Sequence, residues 1–214
     1  MKITKYGHSA LHIEFQNTGF LIDPGAFSSL PSEYPKTDAL LLTHEHGDHF
    51  QITEIQKIVQ QFPQVVIITN KSIAACLLGR GIQAQQVLDG ESVEIRGVMV
   101  TGVGSEHAEI FCEHGRVENV GYMIGDGDFF YPGDSFVEPP KQIAVLAAPV
   151  AAPWMALKEA IHYTNTVLPK IVIPVHDAVL SDVGREVHYR VYSANIQKEV
   201  QFIQLESGVM QEMF

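Results

Sequence analysis

Along the first part of the chain, apolar and polar residues alternate in short runs broken by Gly, Asn, Ser and Pro, the pattern of strands joined by turns. Residues 2–6, 10–15 and 20–23 read as a small meander, with Gln16-Asn17-Thr18-Gly19 as a hairpin turn. A Ser- and Pro-bearing stretch, residues 24–37, leads to the apolar run 38–43, which reads as a buried strand. The period then changes. Ile52, Ile55, Ile58, Val59 and Phe62 recur at helical spacing and predict a helix packed on a sheet. Residues 65–69 read as a strand, and 72–78 as a short helix ended by Gly79.

Residues 87–88, 91–95, 98–103, 120–124 and 129–131 predict a second set of strands, the last two joined by the turn Gly125-Asp126-Gly127-Asp128. That turn has the acidity of a calcium loop but not the twelve-residue length such a loop needs. A strand at 143–147, a helix at 154–168, a short β-rich strand at 171–175, a helix at about 183–199 and a terminal strand at 200–205 complete the reading. Strands and helices intermix without a linker, internal repeat or low-complexity segment, which predicts an α/β fold in one domain, residues 1–214.

The densest chemistry follows the apolar run. Thr43-His44-Glu45-His46-Gly47-Asp48-His49 places three histidines and Asp48 within six residues. Imidazole and carboxylate together suit zinc, iron and manganese. In an extended segment His44 and His46 point to one side, and a turn at Gly47 brings Asp48 and His49 back toward the same place. The plainer alternatives are a solvated histidine-rich turn, or an Asp48 that merely caps the helix beginning near Ile52. The helical metalloprotease motif does not fit, because its second histidine would fall at position 48, which is Asp48.

The run His44-x-His46-x-Asp48-His49 matches the signature of the metallo-β-lactamase superfamily, and the chain resembles that family over nearly its whole length. Phe20-Leu21-Ile22-Asp23-Pro24-Gly25 is similar to the family's early strand ending in an aspartate. Tyr131-Pro132-Gly133-Asp134-Ser135 is similar to its later Gly-Asp element, and Ile171 to His176 to its last ligand strand. The start Gly7-His8-Ser9 and the ending Ile173-Pro174-Val175-His176 are most similar to the branch that includes ascorbate-6-phosphate lactonase. The resemblance implies a four-layer αββα sandwich with its site at one edge, between the sheets. It implies that His44, His46 and His107 hold one divalent ion, that Asp48, His49 and His176 hold a second, and that Asp134 bridges them. Zinc is the expected metal, with manganese or iron as alternatives. His114 competes with His107 for its place, but His107 follows the strand 98–103 whereas His114 lies in a polar loop.

A hydrolase is the implied activity: a metal-bound hydroxide attacking a small ester, lactone or phosphoester, with Asp48 and Asp134 as catalytic carboxylates. Relatives of other activities carry a helical C-terminal domain for a thiol substrate, a basic arm for RNA, or a glutamate in place of one motif histidine together with a redox domain. None of these patterns is present, and His46 keeps the hydrolytic one. The competing reading is a catalytically inactive metal-binding structural or interaction domain.

Some residues near these motifs admit two roles. Asp23 is a partner for a ligand imidazole or a cap for the turn at Pro24-Gly25, and His8 a pocket residue or a packed core ring. Trp154 is a pocket wall or core, and Asp177 is either beside the site or on the surface. His12, His162 and His188 read as structural.

Composition narrows the partners. A formal net charge of −11 with no long basic run argues against nucleic acid and leaves a small-molecule substrate, while two dications would offset part of that charge locally. The two cysteines, Cys76 in a predicted helix and Cys112 in a loop, form no metal-binding pair and read as thiols. The N-terminal residues lack the apolar core of a secretory signal, and the longest apolar stretch, 143–157, is interrupted by Pro149 and Pro153 and too short to span a bilayer. The expectation is a cytoplasmic protein without membrane association; the oligomeric state stays open.

Overall fold

The structure, a computed structural model, describes residues 1–111 and 117–214. Cys112 and His114 lie outside the described residues. Two seven-stranded mixed sheets face each other, and each follows the same plan. In the first, β1 (Lys2–Lys5), β2 (Leu11–Phe15) and β3 (Thr18–Ile22) form an antiparallel meander. β4 (Ala39–Leu42), β5 (Val66–Thr69) and β6 (Gln85–Gln86) then add in parallel through α1 (Ile52–Gln61) and α2 (Lys71–Leu78). In the second, β7 (Ser92–Ile95), β8 (Val98–Val103), β9 (Gly121–Ile124) and β10 (Phe129–Tyr131) form the meander. β11 (Val145–Pro149), β12 (Ile171–Val175) and β13 (Gln201–Phe202) follow in parallel through α3 (Leu157–Val167) and α4 (Asp182–Asn195). The chain closes on β14 (Met210–Glu212), antiparallel to β1.

Side-chain alternation builds the layers. Ala39 and Leu41 of β4, with Ile171, Ile173 and Val175 of β12, point between the sheets into a shared core with Leu11, Phe20, Val100 and Tyr122. Leu40 and Leu42 face the other way and pack on Ile55, Ile58, Ile73 and Leu77 of α1 and α2. Leu146 and Val172 likewise meet Ala160, Tyr163, Tyr189 and Tyr192 of α3 and α4. Strands covered on both faces must be apolar throughout, which is why β4 and β12 read as unbroken runs. The four layers expected from the resemblance are present.

Several boundaries move. The strand expected at 87–88 is β6, two residues earlier, and Val87 is instead buried between the sheets. The strand expected at 143–147 runs from Val145 to Pro149, α3 begins at Leu157 rather than Trp154, and α4 ends at Asn195. The terminal strand expected at 200–205 shrinks to β13, and β14 was not expected: its Met-Gln-Glu sequence is exposed, so no apolar alternation marks it. Among the described residues, no helix is long and apolar enough to cross a membrane.

Candidate metal centre

The candidate residues converge where strands of both sheets end. His44, His46, Asp48 and His49 follow β4, His107 follows β8, Asp134 follows β10 and His176 follows β12. Carboxyl ends of parallel strands are where open α/β sheets gather ligands, because the backbone leaves the sheet there and side chains from neighbouring strands meet. The side chains of His44, His46, His107 and Asp134 offer donor atoms all within 4.8 Å of one another, as do those of His8, Asp48, His49 and His176. All seven residues expected at the centre are therefore brought together, and His8 joins them.

Asp134 stands between the groups. Its Oδ1 lies 3.1 Å from His49 Nε2, and its Oδ2 lies 3.1 Å from His176 Nε2 and 3.3 Å from His107 Nε2. Asp48 Oδ2 is 3.4 Å from His176 Nε2. Yet Nε2 of His44, His49, His107 and His176 and Oδ1 of Asp134 are buried without a hydrogen-bond partner among the described residues. Buried polar atoms are normally satisfied, so a set of unpaired donor atoms pointing together has the chemistry of a cation site.

The outer nitrogens explain the orientation. His49 Nδ1 donates to Asp23 Oδ2 at 2.7 Å, His107 Nδ1 to the Ala108 carbonyl at 2.5 Å and His176 Nδ1 to the Ala151 carbonyl at 2.6 Å. Thr43 Oγ1 donates to Asp23 Oδ2 at 2.6 Å and so accepts from His44 Nδ1 at 2.9 Å. Each ring thus keeps its outer proton and turns the other nitrogen inward, as ligating histidines do. Asp23 belongs to this scaffold rather than to the turn at Pro24, for its Oδ1 also accepts the Thr43 N–H at 2.9 Å.

Backbone strain falls in the same place. Among the described non-glycine residues with positive φ, Gln16, Asn17 and Arg96 sit in hairpin turns and Leu168 ends α3. The other two, Asp23 at 44° and His176 at 63°, each follow a strand directly at the centre. Gly47 needs no special conformation, contrary to its expected role in the turn. Gly25 is the constrained glycine: a Cβ there would lie 1.9 Å from the Asp48 carbonyl oxygen. Asp48 does not cap α1, whose N-cap is Gln51 without a side-chain bond.

Electrostatics divide the histidines. Burial, with His49 beside it, holds His44 well below the usual imidazole range, and burial with His107 lowers His46. Burial also opposes charge on His49 and His176, but Asp134, aided by Asp23 at His49 and Asp48 at His176, overcomes it. His49 rises well above its ordinary value and His176 rises to about 9. Burial disfavours the Asp134 carboxylate, yet His49 and His176 keep it well below the usual range; Asp48 is likewise held low against burial, by the nearby His176 and a hydrogen bond from His8.

The flanking residues resolve as follows. Trp154 is half-buried and donates from Nε1 to Asp134 Oδ2 at 3.0 Å, with its ring 5.9 Å from that of His107. Asp177 is buried, paired with Lys5 Nζ at 2.7 Å and accepting from Tyr189 Oη at 2.5 Å. His12 Nε2 meets the Lys36 carbonyl and His188 Nδ1 the Gly184 carbonyl, away from the centre, and His162 is exposed on α3. Sequence reasoning missed Asn119, whose Oδ1 accepts the Asp134 N–H at 3.1 Å, and Ser9, which donates to the Asp48 carbonyl at 2.6 Å. Ser9 stood beside the singled-out His8; Asn119 carried no local signal.

Comparison with known proteins identifies the family and the fold. Residues 2–176 match the model of the β-lactamase superfamily domain. Protein Rv0786c of Mycobacterium tuberculosis is 33% identical over 213 residues, covering 98% of this chain and 99% of that one. A UPF0173 metal-dependent hydrolase of Salinibacter ruber is 31% identical over 194 residues, covering 82% of this chain and 84% of its own. Igni18, a metallo hydrolase of Ignicoccus hospitalis, superposes with a TM-score of 0.78 at 22% identity, over 99% of this chain and 98% of that one. The chain belongs to the metallo-β-lactamase superfamily.

Proposed function

We propose that this chain hydrolyses a small ester, lactone or phosphoester at a dinuclear centre held by His44, His46 and His107 on one side, Asp48, His49 and His176 on the other, and Asp134 between them. As a member of its superfamily the chain is a metal-dependent hydrolase. The observation that carries the finer reading is the convergence of four inward-facing, unpaired imidazole nitrogens on Asp134. Zinc suits this donor set, and manganese or iron can replace it. Ions held there would lower the pKa of bound water to about 7 and polarise the substrate's carbonyl or phosphoryl oxygen.

The protein's own residues then do the positioning. Asp134, almost wholly buried and fixed through its backbone by Asn119, orients the attacking water. Asp48 is the more open carboxylate, its side chain 19% exposed, and would hold the second ion with His49 and His176 on the side nearer solvent. Phe27, exposed and 5.6 Å from the His8 ring, and half-buried Trp154, bonded to Asp134, are the apolar side chains beside the centre that a small substrate would meet. Because both sheets contribute to the centre, residues 1–214 act as one catalytic domain.

Elemental analysis of protein purified with divalent ions, coupled to a screen of lactones, thioesters, β-lactams and phosphodiesters, tests this reading. Two ions per chain and turnover of one class are expected. No turnover across the panel, with metal content unchanged by His46→Ala, overturns it.

A further inference from the structure

His8 is wired in the opposite sense to His44, His49, His107 and His176. The outer nitrogens of His49, His107 and His176 face a carboxylate or carbonyls, which only accept. The outer nitrogen of His8, Nδ1, instead accepts the backbone N–H of Ala178 at 3.1 Å. Nδ1 of His8 therefore carries no proton, and the ring's hydrogen sits on Nε2, which points at Asp48 Oδ2 from 3.3 Å. Four rings offer the centre a lone pair; His8 offers it a donor.

The ring has no freedom to do otherwise. His8 is fully buried, its ring 4.1 Å from that of His176, and its carbonyl accepts the His176 N–H at 3.0 Å. To ligate through Nε2 it would have to shift its proton to Nδ1 and so lose the bond from Ala178. Proximity alone groups His8 with Asp48, His49 and His176 as a four-donor set, but the hydrogen bonding removes it.

We propose that His8 is a positioning residue: its Nε2–H fixes Asp48 and thereby sets the occupancy of the ion held by Asp48, His49 and His176, without ligating that ion. This rests on the dinuclear reading above. Outer partners of this kind are typically worth about 10–100-fold in metal affinity.

Two substitutions separate the ends of the ring. His8→Gln places an amide N–H near the Nε2 position and keeps the donor to Asp48. His8→Asn keeps an acceptor near Nδ1 for Ala178 and loses that donor. Metal content and chelator-competition titrations, with melting of the ion-free proteins as a folding control, are expected to show two ions in wild type and His8→Gln. In His8→Asn the more weakly held ion should bind about 10–100-fold less tightly while the other is unchanged. A ¹⁵N spectrum of the histidine rings in loaded wild-type protein, which needs no variant to fold, should show His8 protonated at Nε2 and free of metal. His8→Asn holding both ions at wild-type affinity overturns the role, as does a metal-bound His8 nitrogen. Wild type taking up fewer than two ions overturns the dinuclear reading itself, and this role with it.

Discussion

His44 and His49 lie with ring centres 4.1 Å apart, yet their surroundings favour opposite states. On the side of His44 and His46, burial and neighbouring imidazoles disfavour a positive charge. On the side of His49 and His176, carboxylates outweigh the same burial and favour one. On the dinuclear reading proposed above, the first half of the centre is thus ready for a cation as folded, whereas the second must give up protons to receive one. Since metal can bind only a deprotonated nitrogen, halves built from the same residue types should fill differently.

The largest effect should come from the residue the halves share. Asp134→Asn keeps the shape of the side chain but removes the charge that faces His49, His107 and His176. It should cost both ions more than the roughly 10–100-fold typical of an outer partner, and abolish turnover with them. Loss of only one ion, read by elemental analysis, would mean that Asp134 serves a single half.

Acidity should separate the halves next. With His176 at about 9, its proton competes with the second ion throughout the neutral range. For that proton alone the apparent affinity should rise about 50-fold between pH 7 and pH 9, while the first ion stays nearly flat. Competition titrations at several pH values check this, and equal slopes for both ions would erase the contrast. In ion-free protein the dependence reverses. The raised pKa of His176 stabilises the fold fully below about 6.5, its ordinary value, and that contribution fades as pH climbs through 9. Chelated protein should therefore melt lower at pH 10 than at pH 7.

Asp23→Asn should act on one half chiefly. It replaces the carboxylate that receives His49 Nδ1–H by a weaker acceptor, and weakens the second ion by about 10–100-fold. His44 touches Asp23 only through Thr43, so the first ion should change by less. A uniform loss would show that Thr43 carries the effect to both.

The difference between what the sequence revealed and what it hid has a physical origin. The motif from His44 to His49 is local, so its spacing and the apolar run before it disclosed both the strand end and the chemistry. The supports are not local: His8 meets Ala178 only once both sheets have formed, and Asn119 meets Asp134 only when β9 pairs with β10. Gly25 looked like an ordinary turn glycine until Asp48 lay against it, and Gly47 looked necessary where it was not. The shared plan of the two sheets is likewise invisible as a repeat, because topology, not residue identity, is what recurs. The α/β class was legible from period alone; the exposed edge strand β14 was not, having no buried face to imprint a pattern.

Trp154 offers the smallest and most discriminating change. Its Nε1–H reaches Asp134 Oδ2, while its ring packs edge-on against Phe136 at 5.2 Å. Trp154→Phe keeps most of that apolar contact and deletes one hydrogen bond to a carboxylate that has several other neighbours. A single such bond is worth about 1 kcal/mol, or roughly fivefold in affinity. Because Asp134 faces both halves, the loss should fall on both ions alike, unlike the one-sided loss expected for Asp23→Asn. Paired titrations of the two variants place the boundary between the halves. If Trp154→Phe weakens only the ion beside His107, Asp134 Oδ2 serves the first half alone, and the bridge between the halves runs through Oδ1 and His49.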